Sequence, residues 1–231
     1  MLINKARGNG LTLIELLIAM VLGIIVLGTV ITVFATTVRY NSDNLQMIRL
    51  NQELRGVMSL ISRDLRRAGY FNSATVTTTY LDAFGGVDVD SNDIYECIYF
   101  AYDIDADGVV EDSDFVAYKL ETGEIRQGTG SGGVNTITPD FDCTTKVGWE
   151  SITEYDSSSN RSSIEITALQ FEPECSIAGG TVYPGDLTCT GGVEVRNIVI
   201  TLTGQVTTPV DGTVVSRTLT ETIKLRNDSG V

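Results

Sequence analysis

Residues 11–38 read LTLIELLIAMVLGIIVLGTVITVFATTV, a run of 28 positions with a single charge, Glu15. About 20 apolar residues in helical form are enough to cross a bilayer core, so this run is long enough to span one. A secretory signal peptide would show a shorter apolar stretch with a small-residue cleavage site after it. Here the small, helix-breaking residue is Gly10, which lies before the run, in a leader MLINKARGNG that carries Lys5 and Arg7. The positive-inside tendency keeps that leader cytoplasmic and puts everything beyond the run outside. Working outward, the chain divides into a leader (1–10), a transmembrane helix half (11–38), an amphipathic helix half (39–69) and a head (70–231).

Glu15 is the anomaly, because an ionised carboxylate in hydrocarbon is costly and usually has a partner and a function. One reading is a helix-end glutamate that reaches the headgroups. The other starts from cleavage after Gly10, which creates a positive amino terminus at Leu11, one helical turn from Glu15. The carboxylate then pairs with that amine, on its own subunit or on a neighbour.

Gly10 followed by Leu11-Thr12-Leu13-Ile14-Glu15-Leu16-Leu17-Ile18-Ala19 resembles the processing motif of type IV prepilins and type II secretion pseudopilins. The resemblance implies that a prepilin peptidase cuts after Gly10 and methylates Leu11, a position where the family more often has phenylalanine. It also implies that Glu15 guides docking into a filament. The expected localisation is the bacterial inner membrane, with the head periplasmic, and then a pilus tip or pseudopilus.

The helical pattern continues past Arg39. Leu45, Ile48, Leu54, Met58, Ile61 and Leu65 recur mostly at three- and four-residue steps, and no proline occurs before residue 139. A helix from about Leu11 to Ala68 is expected, stopped by Gly69 after Arg66 and Arg67. Its second half must bury an apolar stripe against the head. Gly23 and Gly28 read equally as packing notches between helices or as tolerated interruptions. The end of the helix, Ser62-Arg63-Asp64-Leu65-Arg66-Arg67-Ala68-Gly69-Tyr70, is similar to the helix-to-head junction of PilW-type minor pilins, with pseudopilin J of type II secretion the nearest comparison. The segment Thr222-Ile223-Lys224-Leu225-Arg226-Asn227 resembles their final strand. The resemblance implies a minor pilin that starts type IV pilus assembly and sits at the tip. Its partners would be other minor pilins, the major pilin and a large tip adhesin.

After Tyr70 the helical period vanishes. Apolar and β-branched runs at 94–102, 114–120, 163–171, 193–206 and 213–226 are predicted as strands, with 128–133 and 157–163 as loops. The last two runs form the best hairpin, turning at 209–212, with Val215, Leu219, Ile223 and Leu225 on one face. The fold class is therefore α+β: one long helix packed on an antiparallel sheet.

Cys97, Cys143, Cys175 and Cys189 all lie beyond the apolar run, an even count that suits disulfides in an oxidising compartment. Three connectivities exist; Cys97–Cys143 with Cys175–Cys189 is favoured, because the second pair closes a short loop. Zinc is disfavoured, since there is no C-x-x-C spacing and no histidine.

The formal net charge is −14, and loss of the leader makes it −16, with 14 basic against 30 acidic residues. Such a surface repels phosphate backbones, so no direct nucleic-acid partner is expected. Much of the excess sits in one loop. From Asp103 as ligand one, Asp105, Asp107, Val109 (by its carbonyl), Glu111 and Asp114 occupy positions three, five, seven, nine and twelve of a calcium-loop pattern, with Gly108 at the sharp turn. The flanks, 98–102 and 115–120, read as strands, so this is not a helix-loop-helix hand. The alternative is a solvated acidic hairpin turn. A calcium-dependent adhesin or surface sensor stays open as a function of another class. With no histidine, nucleophile elbow or phosphate loop, the chain reads as a non-enzyme with no catalytic residues.

Overall fold

The structure, a computed structural model, describes residues 12–70, 72, 84–87, 94–109, 111–129, 148–155, 164–176, 182–184, 195–208 and 212–225. The chain divides into two compact units, residues 1–45 and 46–231. One helix, α1, spans Leu13–Leu65. It starts two residues later than expected because Thr12 caps it: the Thr12 carbonyl accepts from Leu16 N–H at 3.2 Å, and its Oγ1 lies 3.4 Å from the Glu15 nitrogen.

In the first unit every described residue from Thr12 to Asn41 is exposed, and the helix is long and apolar enough to cross a membrane. Its hydroxyls are dealt with internally. Thr29, Thr32, Thr36 and Thr37 donate at 2.7–2.8 Å to the carbonyls of Val26, Gly28, Val33 and Val33. This is what a lipid-facing helix needs, since hydrocarbon offers no other partner. A Cβ at Gly23 or Gly28 would meet nothing within 4 Å, so nothing inside the chain requires glycine there.

In the second unit the buried stripe is Leu50, Leu54, Val57, Met58, Ile61 and Leu65. Leu45 and Ile48, expected to share that stripe, are 57% and 50% exposed. At 3.6 residues per turn they point nearly opposite to Leu54 and Ile61, so they belong to another face. The helix closes through a turn over residues 66–69 rather than running to Ala68, with Gly69 at φ 75°. Its N–H donates to the Ala101 carbonyl at 2.8 Å, which ties the helix end to the head.

Among the described residues, nine strands form two antiparallel sheets. The first is a five-stranded meander of β1 (Phe84–Val87), β2 (Cys97–Ala101), β3 (Phe115–Glu121), β4 (Glu124–Thr129) and β5 (Trp149–Ser151), in that order. The second contains β6 (Ile164–Ser176), β7 (Val182–Pro184), β8 (Val195–Thr207) and β9 (Val214–Lys224), in the order β7-β6-β8-β9. The α+β expectation holds, with two sheets where one was expected.

Core parity follows the two-residue strand period. Ile198, Ile200, Leu202 and Val206 of β8 are buried, and the register sets Ile198, Leu202 and Val206 opposite Ile223, Leu219 and Val215 of β9. The predicted apolar face of the hairpin is therefore real. Its turn at 209–211 lies outside the described residues, but Thr208 and Gly212 close it, Gly212 N–H donating to the Thr208 carbonyl at 3.1 Å. Strand β6 changes parity: Ile164 and Ile166 are buried, then Leu169 and Phe171. A bulge between Ile166 and Ala168 makes the switch, leaving Thr167 exposed. The helix seats where β8 has no side chain, since a Cβ on Gly204 would come within 3.0 Å of Leu54 and 3.1 Å of Leu50.

Two further corrections concern the first sheet. Strand β4 runs through Gly128 and Thr129, part of the segment expected as a loop, and Gly128 is buried. Strands β1, β5 and β7 had no apolar run long enough to announce them; the 157–163 loop lies outside the described residues.

Candidate functional site: the amino terminus, the helix-to-head junction and the acidic loop

The processing residues Gly10 and Leu11 lie outside the described residues, and Glu15 sits exposed in the first turn of α1. Thr12 and Glu15 have the spacing of a capping box, N-cap threonine and third-position glutamate. A carboxylate there also faces the positive end of the helix macrodipole. Cys97 is buried and disulfide-bonded. Cys143, Cys189 and the Cys175 side chain lie outside the described residues, so both pairings stay as proposals.

The junction is organised by Asp64, which is 3% exposed on the last turn of α1. Tyr118 of β3 donates its hydroxyl to Asp64 Oδ2 at 2.6 Å, and Arg63 Nε lies 3.3 Å from Oδ1. Tyr102 packs nearby, its ring stacked with Phe100 at 6.2 Å and covered by the Arg67 guanidinium at 4.4 Å. Burial pushes both phenols up; for Tyr118 the hydrogen bond to Asp64 comes next, and for Tyr102 the Asp64 charge, opposed by Arg67 and Arg63. The Ser62–Tyr70 segment thus supplies a buried acid, two arginines around it and a turn. Asp64 was not singled out in the sequence; the signal was an acid on the same helical face as Leu50, Val57 and Ile61.

The acidic loop leaves β2 and returns at β3 through a single 3-10 turn, Asp112–Asp114. It is anchored to the junction: Asp103 N–H donates to the Tyr70 carbonyl at 2.8 Å, and Asn72 N–H to Asp103 Oδ2 at 3.0 Å. Asp103 and Asp114 are 0% and 1% exposed, whereas Asp105, Asp107, Val109 and Glu111 are exposed. Asp103 also accepts from the N–H groups of Gly108 at 2.9 Å and Asp107 at 3.2 Å; Asp114 accepts from those of Ile104 and Glu111, both at 2.9 Å. Burial works against the Asp103 carboxylate, but backbone donors from Asn72, Gly108, Ala106 and Asp107 outweigh it and lower its pKa. Gly108 turns the chain at φ 76°, where the pattern requires it.

Ligand oxygens of Asp103, Asp105 and Asp114 all lie within 4.8 Å of one another. Oxygens on opposite sides of a calcium ion, at 2.3–2.6 Å each, are about 5 Å apart, so these three fit around one ion. Asp107 and Glu111 stand outside that cluster; Asp107 accepts from the Val109 N–H at 2.7 Å. A wholly solvated turn does not describe a loop with two buried carboxylates.

A third carboxylate site lies on the helix. Glu53 Oε1 is buried without a hydrogen-bond partner among the described residues, and burial, followed by the charge of Glu154, raises its pKa. The raised folded value means that its contribution is favourable at low pH and is lost as pH rises through it. Glu53→Gln is accordingly expected to raise the melting temperature at pH 7 by about 1–2 °C, a modest figure because the side chain is only half-buried. The gain should vanish as pH falls below the unfolded glutamate value of about 4.3, where wild type becomes protonated in both states. A gain independent of pH would point to packing instead.

These features define a subunit with a prepilin-type amino terminus, an apolar helix and a β-sheet head. Residues 5–31 match the Prokaryotic N-terminal methylation motif, and residues 43–225 match the family described as Prepilin peptidase-dependent protein B. The chain belongs to the prepilin peptidase-dependent protein B family, and so to the pilin-like proteins processed by that peptidase. No curated protein and no solved structure matches it.

Proposed function

We propose that the chain is a PilW-type minor pilin that helps to start type IV pilus assembly and sits at the pilus tip. The observation that carries this reading is the joint match of the methylation motif at residues 5–31 and the pilin-like family over 43–225, on a chain with one membrane-length helix. The resemblance of the Ser62–Tyr70 junction to PilW-type subunits favours the pilus over the secretion machine. In this reading Gly10 and Leu11 are the processing site, and Glu15 acts in docking. The partners are prepilin peptidase, other minor pilins, the major pilin and a large tip adhesin, with the head periplasmic before assembly.

A clean deletion, scored for surface pili and secreted enzymes side by side, tests it. Lost pili with normal secretion supports the proposal. Normal pili with blocked secretion would make the chain a pseudopilin J-like subunit and overturn the choice of machine. Processing is checked separately. After coexpression with the peptidase, intact mass should equal residues 11–231 plus one methyl group and minus four hydrogens for two disulfides. A mass retaining residues 1–10 rules out cleavage after Gly10.

The acidic loop is proposed to bind a structural calcium ion through Asp103, Asp105 and Asp114, with Asp107, the Val109 carbonyl and Glu111 as further ligands. The support is the clustering of three carboxylates within 4.8 Å, two of them buried. Bound there, the ion would supply positive charge that offsets carboxylate repulsion; the loop's own tie to Tyr70 and Asn72 would carry that stabilisation to the helix-to-head junction. Melting of the detergent-solubilised mature chain should rise by about 5–10 °C with calcium about a hundredfold above Kd. Asp105→Asn should abolish most of that shift while leaving the metal-free melting temperature near wild type. An unchanged melting temperature at millimolar calcium would mean that backbone N–H groups alone hold the loop.

A further inference from the structure

The helix and the last strand enclose a groove of about 280 Å³. From α1 it is lined by Arg55, Ser59, Ser62 and Arg66, residues spaced four, three and four apart and so stacked along one face. From β9 it is lined by Leu219, Thr220 and Glu221, three consecutive residues. Successive strand residues point to opposite faces of a sheet. A groove that meets all three therefore runs past the strand's edge. Strand β9 is outermost in its sheet and, among the described residues, pairs only with β8. Its outer edge consequently carries backbone N–H and C=O groups of the kind that accept an added strand.

Charge and polarity say what kind of strand fits. Ser62 is 2% exposed and its Oγ has no hydrogen-bond partner among the described residues, leaving a polar group in the groove wall unanswered there. Arg55 is exposed and forms no ion pair among the described residues. Among the described residues Arg66 is engaged only by Glu221, at 3.0 Å, with both side chains substantially solvated, a bridge weak enough to exchange. Two guanidiniums against one carboxylate make this groove locally basic on a chain whose net charge is −14. Met58 and Leu219 provide an apolar wall between the charges.

We propose that the groove docks an extended acidic segment of another protein chain, added as a strand to β9, with one carboxylate on Arg55 and a second competing with Glu221 for Arg66. The two arginines are about 16 Å apart along the helix axis. Carboxylates four residues apart on one face of a strand are about 13 Å apart, within reach of both flexible side chains. This goes beyond the assignment to a machine, because it does not depend on which filament the chain joins.

The test uses the full mature chain in detergent micelles and a fluorescent eight-residue peptide of valine and threonine with two glutamates four residues apart. Saturable binding is expected, weakened about tenfold by Arg55→Gln and suppressed by about 0.5 M salt. A peptide with lysines for the glutamates should not bind, and one with alternate backbone nitrogens methylated should bind at least about tenfold more weakly, because it cannot pair with the β9 edge. Arg55 is exposed, so its variant should melt like wild type, which separates lost binding from lost fold. Absence of saturable binding to the folded chain would overturn the proposal. So would binding that survives either Arg55→Gln or backbone methylation unchanged.

Discussion

Tyr118→Phe is expected to lower head stability by about 1.5–3 kcal/mol, a fall of roughly 3–12 °C in melting temperature. One oxygen atom is removed, and apolar contacts are kept. The effect comes from what is left behind: Asp64, 3% exposed, loses a donor at 2.6 Å. Among the described residues it keeps only the Tyr102 hydroxyl and Arg63, the latter 67% exposed and 3.3 Å away. Arg63→Gln should therefore cost under about 1 kcal/mol, as solvated ion pairs do. Removing both members, as Asp64→Leu with Tyr118→Phe, should cost less than the sum of the single changes, because neither leaves an orphan in the other's absence. If Tyr118→Phe melted within a degree of wild type, water or another group would have to be satisfying Asp64.

The same pair sets an alkaline limit. Burial pushes Tyr99, Tyr102 and Tyr118 up, with Asp64 adding to the last two. A raised folded pKa means that stability is fully present below the unfolded phenol value, about 10, and is lost as pH climbs above it. Wild type should therefore melt progressively earlier above about pH 10, and Tyr118→Phe should show a shallower decline, having one phenol fewer to hold neutral.

How far the sequence reached depends on which physical rule governed each segment. The helix was readable because an apolar run of 28 residues has few other solutions, and its end was marked by Gly69. Its phase was misread: Leu45 and Ile48 lie nine and six residues before Leu54, about 180° and 120° round the helix, and Leu50 marks the face that the head covers. Strand β4, EIRQGT, buries little besides Ile125 and Gly128, so it carries no alternating apolar signal. Strand β6 carries one that a bulge interrupts at Thr167. The acidic loop was recognised by spacing, but its burial was hidden, since aspartates are normally exposed. Asp103 and Asp114 are covered because loop N–H groups converge on them, a fact of backbone geometry that composition does not encode. Asp64 was hidden for the same reason, its donor lying 54 residues away on β3.

Glu15→Gln is expected to leave the subunit processed and membrane-inserted, yet to reduce its incorporation into filaments at least about tenfold. Within the chain Glu15 has no ion pair among the described residues, and it lies in the first turn of a helix exposed from Thr12 to Asn41. Cleavage after Gly10 would place an amine one turn away on every mature subunit, including each neighbour in a bundle. Removing one partner of a pair in a low-dielectric setting costs about 3–5 kcal/mol, which is roughly two to three and a half orders of magnitude in an equilibrium. Interfacial water near the helix end reduces that, so tenfold is a floor. Glutamine keeps the size and a hydrogen-bond acceptor, which isolates the charge as the cause. Head melting should not change, because Glu15 belongs to the first compact unit and the core lies in the second. The measurement compares the subunit in sheared filaments with the subunit left in membranes. Equal incorporation of the variant and wild type would return Glu15 to a helix-end glutamate reaching the headgroups, with docking then resting on the apolar helix surface alone.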